Sequence, residues 1–225
     1  MSIESVKAVI GSDCVLYFSF EERLGSKAYD LSGNNNNGTI YGAGWTYGKI
    51  GSGLSFDGVD DYVNVPNSPS LNSFSLTSGM SIEVWVFPYP KSTSQNIVGK
   101  TSSFSLSITP SGSFFFIIHD GSSWRPYIYS SVVGFNKWAH VVAVVQTDGT
   151  YMLYVNGSRS GGTSTTTNIN NSGYPVYLAI GGLGLGLAYF QGIIDEVRIY
   201  NRALSEKEIK SLYYRALKTH QAVQI

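Results

Sequence analysis

Ser81-Ile82-Glu83-Val84-Trp85-Val86-Phe87 is the stretch on which the fold turns. Side chains alternate between the two faces of a strand, so Ile82, Val84 and Val86 share one face while Glu83, Trp85 and Phe87 share the other. Both faces are largely apolar, which marks a central strand covered on each side. Outward from it the chain repeats one theme, short β-prone runs broken by Gly, Asn, Ser, Asp and Pro, the pattern of an all-β sandwich. Strands are expected at Cys14–Phe20, Gly38–Tyr41, Leu54–Phe56, Tyr62–Val65, Met80–Phe87, Asn96–Lys100 and Phe104–Thr109. Further strands are expected at Ser113–His119, Pro126–Ser130, Trp138–Gln146, Tyr151–Val155, Val176–Ile180 and Gly192–Tyr200.

Asp148-Gly149 joins two of these runs, and an Asp-Gly pair supplies the positive φ angles of a type I′ hairpin turn. Asn156-Gly157 then ends the second strand. Tyr89–Gln95 and Ser158–Gly173 are expected as long loops. Gly181–Gly186 is glycine-rich, but no Lys-Ser/Thr follows it, so it lacks the pattern of a phosphate loop. One helix is expected near the C-terminus. Ser205 and Glu208 form a capping box, and Ile209, Leu212, Tyr213 and Ala216 follow as one apolar stripe that docks on the sandwich. Residues 1–225 are expected to form a single domain with a core over about 13–216 and a tail over 217–225.

The composition narrows the function classes. Hydrophobic residues make up 43% of the 225, enough for a sizeable core, and charged residues only 13%, with fifteen of each sign. That is about half the usual ~25% charged content. A nucleic acid partner requires a clustered Lys/Arg footprint, which is missing. No apolar stretch of ~18 residues exists to span or insert into a membrane, and Met1–Ile10 lacks a signal-peptide pattern. Cys14 is the single cysteine, inside the apolar run Cys14-Val15-Leu16-Tyr17-Phe18, so no intramolecular disulfide forms.

Seven segments occur in a telling order: Leu16-Tyr17-Phe18-Ser19-Phe20-Glu21-Glu22; Asp30-Leu31-Ser32-Gly33-Asn34-Asn35-Asn36-Asn37-Gly38; Gly53-Leu54-Ser55-Phe56-Asp57-Gly58-Val59-Asp60-Asp61-Tyr62-Val63; Ser81–Val86; Trp138-Ala139-His140-Val141-Val142; Leu153-Tyr154-Val155-Asn156-Gly157; and Gly192–Ser205. Together, from about Val15 to Tyr214, they resemble the laminin-G-like jelly rolls of the concanavalin A-like lectin/glucanase superfamily. The resemblance implies two curved antiparallel sheets with the first and last strands paired. It also implies a range of roles, from sugar-binding and adhesion modules to appendages of virus particles and glucanases.

Catalysis of the glucanase kind needs two carboxylates about 5–5.5 Å apart, carried in those relatives on one strand face as Glu-x-Asp-x-x-Glu. No such string occurs. Asp195 and Glu196 are neighbours on a strand and are expected on opposite faces. His119, His140 and His220 are scattered, and His140 is expected in a structural hydrogen bond. The expectation is therefore a non-enzyme.

The resemblance implies a structural Ca²⁺ held by acidic residues of the first and last strands. Carried onto this chain, these are Asp195 with Glu21 or Glu22, and Asp30 in the following loop. Asp30-Leu31-Ser32-Gly33 is equally an Asx-turn sequence. Asp57, Asp60 and Asp61 form a second oxygen cluster in a turn.

Glycan binding requires exposed aromatic faces ringed by hydrogen-bonding groups. Trp85 and Trp138 lie in strand motifs, and Trp45 is expected to pack under a loop. Trp124 lies in the polar segment Asp120-Gly121-Ser122-Ser123-Trp124-Arg125-Pro126-Tyr127, and with Arg125, Tyr127, Tyr129 and Asp120 it makes the candidate ligand platform. The expected partner is a glycan or glycoprotein surface, met outside the cell, at a cell surface or at a virion surface. The alternative is a structural protein of a virus particle or cell appendage whose partners are other structural proteins, and a glycoside hydrolase is the third reading.

Overall fold

The computed structural model describes residues 11–179, 185 and 187–222. It contains sixteen strands, numbered in chain order: β1 (Cys14–Phe18), β2 (Lys27–Ala28), β3 (Gly38–Tyr41), β4 (Gly44–Tyr47), β5 (Ser52–Asp57), β6 (Tyr62–Val65), β7 (Met80–Pro88) and β8 (Gln95–Lys100), then β9 (Phe104–Ile108), β10 (Ser113–Ile118), β11 (Ile128–Val132), β12 (Ala139–Val145), β13 (Thr150–Val155), β14 (Ser158–Thr165), β15 (Val176–Leu178) and β16 (Gln191–Tyr200). Among the described residues there is one α-helix, α1 (Glu206–Ala222), besides a short 3-10 turn at Ser70–Asn72.

The strands form two antiparallel sheets of eight, a jelly-roll sandwich. Sheet A has the order β14-β13-β12-β7-β16-β5-β4, and β1 pairs with the C-terminal half of β16. The first and last strands are thus neighbours, with Tyr17 opposite Arg198 and Phe18 opposite Val197. Sheet B has the order β11-β10-β9-β8-β15-β6-β3-β2. The Ser81–Phe87 stretch lies in β7, between β12 and β16 in the middle of sheet A. Its Ile82, Val84 and Val86 enter the core between the sheets, together with Phe104, Leu106 and Ile108 of β9 and Phe114, Phe116 and Ile118 of β10.

The other face of sheet A carries a second apolar cluster, in which Val142, Val144, Tyr154 and Tyr200 meet Leu204 and Ile209 of the C-terminal segment. Ile209 and Ala216 are buried, as the apolar stripe requires. The capping box forms: Ser205 Oγ accepts from Glu208 N (3.3 Å), and Glu208 Oε2 accepts from Ser205 N (2.8 Å).

Three strands escape the sequence pattern. β2 has two residues, and β4 is a short half-exposed edge. The third, β14 (Ser-Arg-Ser-Gly-Gly-Thr-Ser-Thr), is an exposed edge of sheet A inside the expected 158–173 loop. It exists because of its turn. Asn156 (φ 50°) and Gly157 (φ 77°) both lie in the left-handed region, and Val155 pairs with Ser158 across them, which is the two-residue type I′ hairpin. At Asp148-Gly149 only Gly149 has positive φ, so that turn is not type I′. The helix also differs from expectation, running on to Ala222 through most of the expected tail. The expected glycine-rich segment (apart from Leu185), the expected N-terminal reading of residues 1–10, and residues 223–225 lie outside the described residues. So does the side chain of His220.

Candidate functional site

A cluster of buried titratable groups lies on the outer face of sheet A. Register places Arg198 between Tyr17 of β1 and Glu83 of β7, and His140 of β12 opposite Trp85. Glu83 Oε1 accepts from Arg198 Nη1 (3.1 Å) and pairs with His140 Nε2 (3.1 Å), and Glu83 Oε2 accepts from Tyr200 OH (3.3 Å). Burial pushes the Glu83 carboxyl up, but Arg198, His140 and Tyr200 outweigh it and hold it below the usual range. Arg198 also pairs with Glu196, which accepts from Tyr17 OH (3.1 Å). Helix α1 lies against this face, with Tyr213 stacked on Trp85 at 5.7 Å and 15° and close to His140 at 5.8 Å. His140 thus has the expected structural hydrogen bond.

Asp195 and Glu196 do not lie on opposite faces, as strict alternation requires. The β7–β16 register shifts between Asp195 and Arg198, and Glu196 has φ 52°. A bulge adds one residue and rotates the following side chains. Ile194, Val197 and Ile199 therefore point into the core, while both carboxylates stay out of it. Both are buried, and both are pushed above the usual carboxylate range, chiefly by burial and in Asp195 also by Glu196 and Glu21. Their oxygens are already engaged: Asp195 Oδ2 accepts from Ile50 N (2.9 Å) and Oδ1 from Glu196 N (2.7 Å).

Asp195 and Glu21 grip one turn from two sides, since Glu21 Oε1 accepts from Ser52 N (3.0 Å). A Cβ at Gly48 would collide with Asp195 Oδ2, and one at Gly51 with Glu21 Oε1, so the tight approach depends on glycine at both positions. Glu22 turns elsewhere and accepts from Tyr29 N (2.7 Å). Asp30 forms the Asx-turn: it accepts from Tyr17 N, Ser32 N, Ser32 Oγ and Asn36 N at 2.8–2.9 Å. Those four donors use the lone-pair sites of a carboxylate. Asp57, Asp60 and Asp61 bring ligand atoms within 4.8 Å of one another, although Asp57 and Asp61 each accept a backbone N–H of their own turn.

The candidate ligand platform divides in two. In the first part, Asp120 organises the β10–β11 turn: Oδ1 accepts from Ser122 N, Ser122 Oγ and Ser123 N at 2.8–2.9 Å, and Oδ2 pairs with Arg125 Nε at 3.2 Å. These donors hold the Asp120 carboxyl well below its ordinary range. Trp124 is half-buried, its ring edge-on to His119 at 5.2 Å. In the second part, Tyr127 and Tyr129 are 42% and 48% exposed and lie over the buried Phe115 at 5.5 and 5.7 Å. Trp45 packs under the preceding loop and donates to Gly25 O (2.9 Å). Sequence reasoning missed the Glu83–Arg198–Glu196 network, because its signal is a cross-strand register that one strand's pattern does not contain.

Residues 57–210 match the family model described as "Concanavalin A-like lectin/glucanases superfamily" (Laminin_G_3). The chain belongs to this superfamily. Among solved structures it is similar to the binding domain of Paraclostridial Mosquitocidal Protein 1 (TM-score 0.71, 21% identity, covering 89% of this chain and 52% of that one). It is also similar to domain 4 of AbnA, an extracellular GH43 arabinanase from Geobacillus stearothermophilus solved with arabinotriose (TM-score 0.68, 21% identity, 89% and 98% covered). A third is the binding domain of botulinum neurotoxin DC, in complex with rat synaptotagmin II (TM-score 0.69, 16% identity, 92% and 52% covered). The chain therefore spans about half of the two toxin chains and nearly all of the arabinanase domain. At these identities the likeness shows the fold. No curated protein sequence matches the chain. Among the described residues no helix is long and apolar enough to cross a membrane.

Proposed function

We propose that this domain is a non-catalytic recognition module for a neutral glycan or a glycosylated surface, working outside the cell or on a cell or particle surface. The observation that carries the reading is the exposed Tyr127–Tyr129 pair over Phe115, beside a turn made rigid by Asp120. Such rings bury sugar C–H faces, and a preorganised polar turn supplies hydrogen bonds at low entropic cost. Similarity to an arabinanase domain solved with arabinotriose and to toxin binding domains supports it. The burial of Asp195, Glu196 and Glu83 supports the absence of catalysis, since a substrate has no access to them.

A structural divalent cation, calcium by its donor chemistry, belongs to the same proposal. Asp195 is a buried carboxylate raised by that burial and by Glu196 and Glu21 beside it, and it faces the turn at Ile50. An all-oxygen set of this kind suits calcium. Asp195 and Glu21 would hold the ion, tying β16 to the turn before β5.

On a glycan array, Trp124→Ala and Tyr129→Ala are each expected to weaken binding severalfold while the thermal melt stays within a degree or two. Binding by both variants at the level of wild type overturns this platform. A second reading, a building block that assembles with other proteins, is favoured by the open edge β4, where Tyr47 is 90% exposed. Size-exclusion chromatography separates it from a monomeric lectin.

A further inference from the structure

Far from the Trp124 turn, the outer face of sheet B carries a second constellation. Tyr41 of β3 and Tyr62 of β6 are register partners and stack at 4.6 Å and 15°. Tyr177 of β15 meets Tyr62 edge-on at 6.3 Å. These side chains face away from the core, because Ile40, Val63 and Leu178 beside them point into it. On the same face Asn64 is the register partner of both Thr39 and Tyr177. Tyr177 stands opposite Gly99 on its other side.

Asn64 Oδ1 is shielded from solvent and has no hydrogen-bond partner. An unpaired buried amide oxygen is destabilising, and such a group in a native fold calls for an explanation. Tyr41, meanwhile, is 43% exposed although one face of its ring is covered by Tyr62. The phenol of Tyr62 is pushed up by burial and by the neighbouring phenols of Tyr41, Tyr189 and Tyr177. The groups that meet here are phenols, an amide and the hydroxyl of Thr39, which Lys27 Nζ approaches at 2.8 Å. A ligand suited to them is uncharged, brings a hydrogen-bond donor to Asn64 Oδ1, and lays a flat C–H face on Tyr41. A sugar ring carries both features within its own width.

We propose that Tyr41, Tyr62, Tyr177 and Asn64 form a second saccharide-binding site on the outer face of sheet B, separate from the Trp124 turn. In strand order this site lies four to six strands from Tyr129, which at ~4.8 Å per strand is about 19–29 Å across the sheet. The two sites together would grip an extended chain at two points and raise its avidity without any new contact. The proposal rests on the reading of this domain as a saccharide-recognition module.

The test is calorimetric titration of the whole protein with a panel of defined neutral oligosaccharides, from arabino- to xylo- and gluco-oligosaccharides. Wild type is compared with Tyr41→Ala, Tyr41→Phe, Asn64→Leu and Trp124→Ala. A stacking contact or a buried acceptor worth about 1.4 kcal/mol corresponds to tenfold in affinity. Tyr41→Ala and Asn64→Leu are therefore each expected to weaken binding about tenfold, Tyr41→Phe to stay near wild type, and Trp124→Ala to leave measurable binding. Asn64→Leu removes a partly buried amide, so its fold is checked by near-UV circular dichroism; the exposed Tyr41 carries the test if that variant fails to fold. If wild type binds a saccharide and Tyr41→Ala binds it equally well, the second site is wrong and the recognition reading stands. If wild type binds no neutral saccharide, both fall together.

Discussion

The two outer faces of the sandwich divide the chain's chemistry between them. On sheet A, Glu83, His140, Glu196 and Arg198 are buried and joined in one ionic network against which α1 packs. On sheet B the side chains turned from the core are mostly neutral, with Ser105, Ser107 and Asn96, themselves buried, in the middle, tyrosines toward both ends and Lys27 on the β2 edge. The charged groups of the sheet A network are thus inaccessible, and the large exposed side chains on sheet B include the rings of Tyr41, Tyr127 and Tyr129. Charge on sheet A works for the fold, and its scarcity on sheet B suits a neutral ligand.

Breaking the network on sheet A tests the first half of that contrast. Arg198→Met leaves Glu83 and Glu196 buried without their shared cation. Removing one partner of a buried ion pair typically costs 3–5 kcal/mol, so urea unfolding is expected to lose a stability of that order. Glycan affinity of the remaining folded protein is expected to hold. A loss below about 1 kcal/mol would show that the network is not what holds this face together. A large drop in glycan affinity would place recognition on the wrong sheet.

The proposed calcium site at the edge of the same face gives a smaller effect. Calcium at a hundred times its dissociation constant would stabilise the native state by about 2.7 kcal/mol. The Asp195 carboxyl is raised in the folded chain, so without metal its ionised form destabilises the fold at neutral pH. Asp195→Asn removes that buried charge but turns an amide N–H toward a backbone N–H that Asp195 accepts, so it is expected to melt near wild type in chelator and to ignore added calcium. Wild type that melts identically with calcium and with chelator removes the ion from the account.

How far the sequence discloses this depends on whether a feature is local. Strand alternation, as in Ile82–Phe87, is local and places the central strand correctly. The Ser205–Glu208 box is local too, and it marks the helix start. β14 is hidden because an exposed edge strand buries nothing and shows no apolar period, although Asn156-Gly157 signals the hairpin that leads into it. The bulge at Glu196 is hidden because alternation assumes an unbroken ladder, and the register with β7 that breaks it comes from a strand more than a hundred residues away. On sheet B, Trp124 is conspicuous in the sequence but packs against His119, whereas Tyr41 and Tyr62 are ordinary strand residues until β3 and β6 pair. A binding surface made of neutral strand residues has no motif; it is made by register.

The smallest expected effect lies where α1 begins. Glu208 accepts from Ser205 N and from Arg202 Nη2 (2.7 Å), and its carboxyl is held down at about 2, chiefly by the Arg202 hydrogen bond. A carboxyl with a lowered folded pKa binds protons more readily in the unfolded chain, so its contribution is complete above the unfolded value near 4.5. It is lost as pH falls from there toward about 2. Loss of a helix cap typically costs ~1 kcal/mol, and the partial exposure of this ion pair keeps its own share small. Glu208→Gln is therefore expected to lie below wild type at pH 7, with the gap closing between pH 4.5 and 2. Because Tyr213 of the same helix stacks on Trp85, tryptophan fluorescence during acid titration reports whether the helix end loosens before the sandwich does. Loosening of the helix alone would separate the cover of sheet A from the sandwich beneath it. One cooperative transition in fluorescence and in far-UV circular dichroism would instead make the helix part of the core.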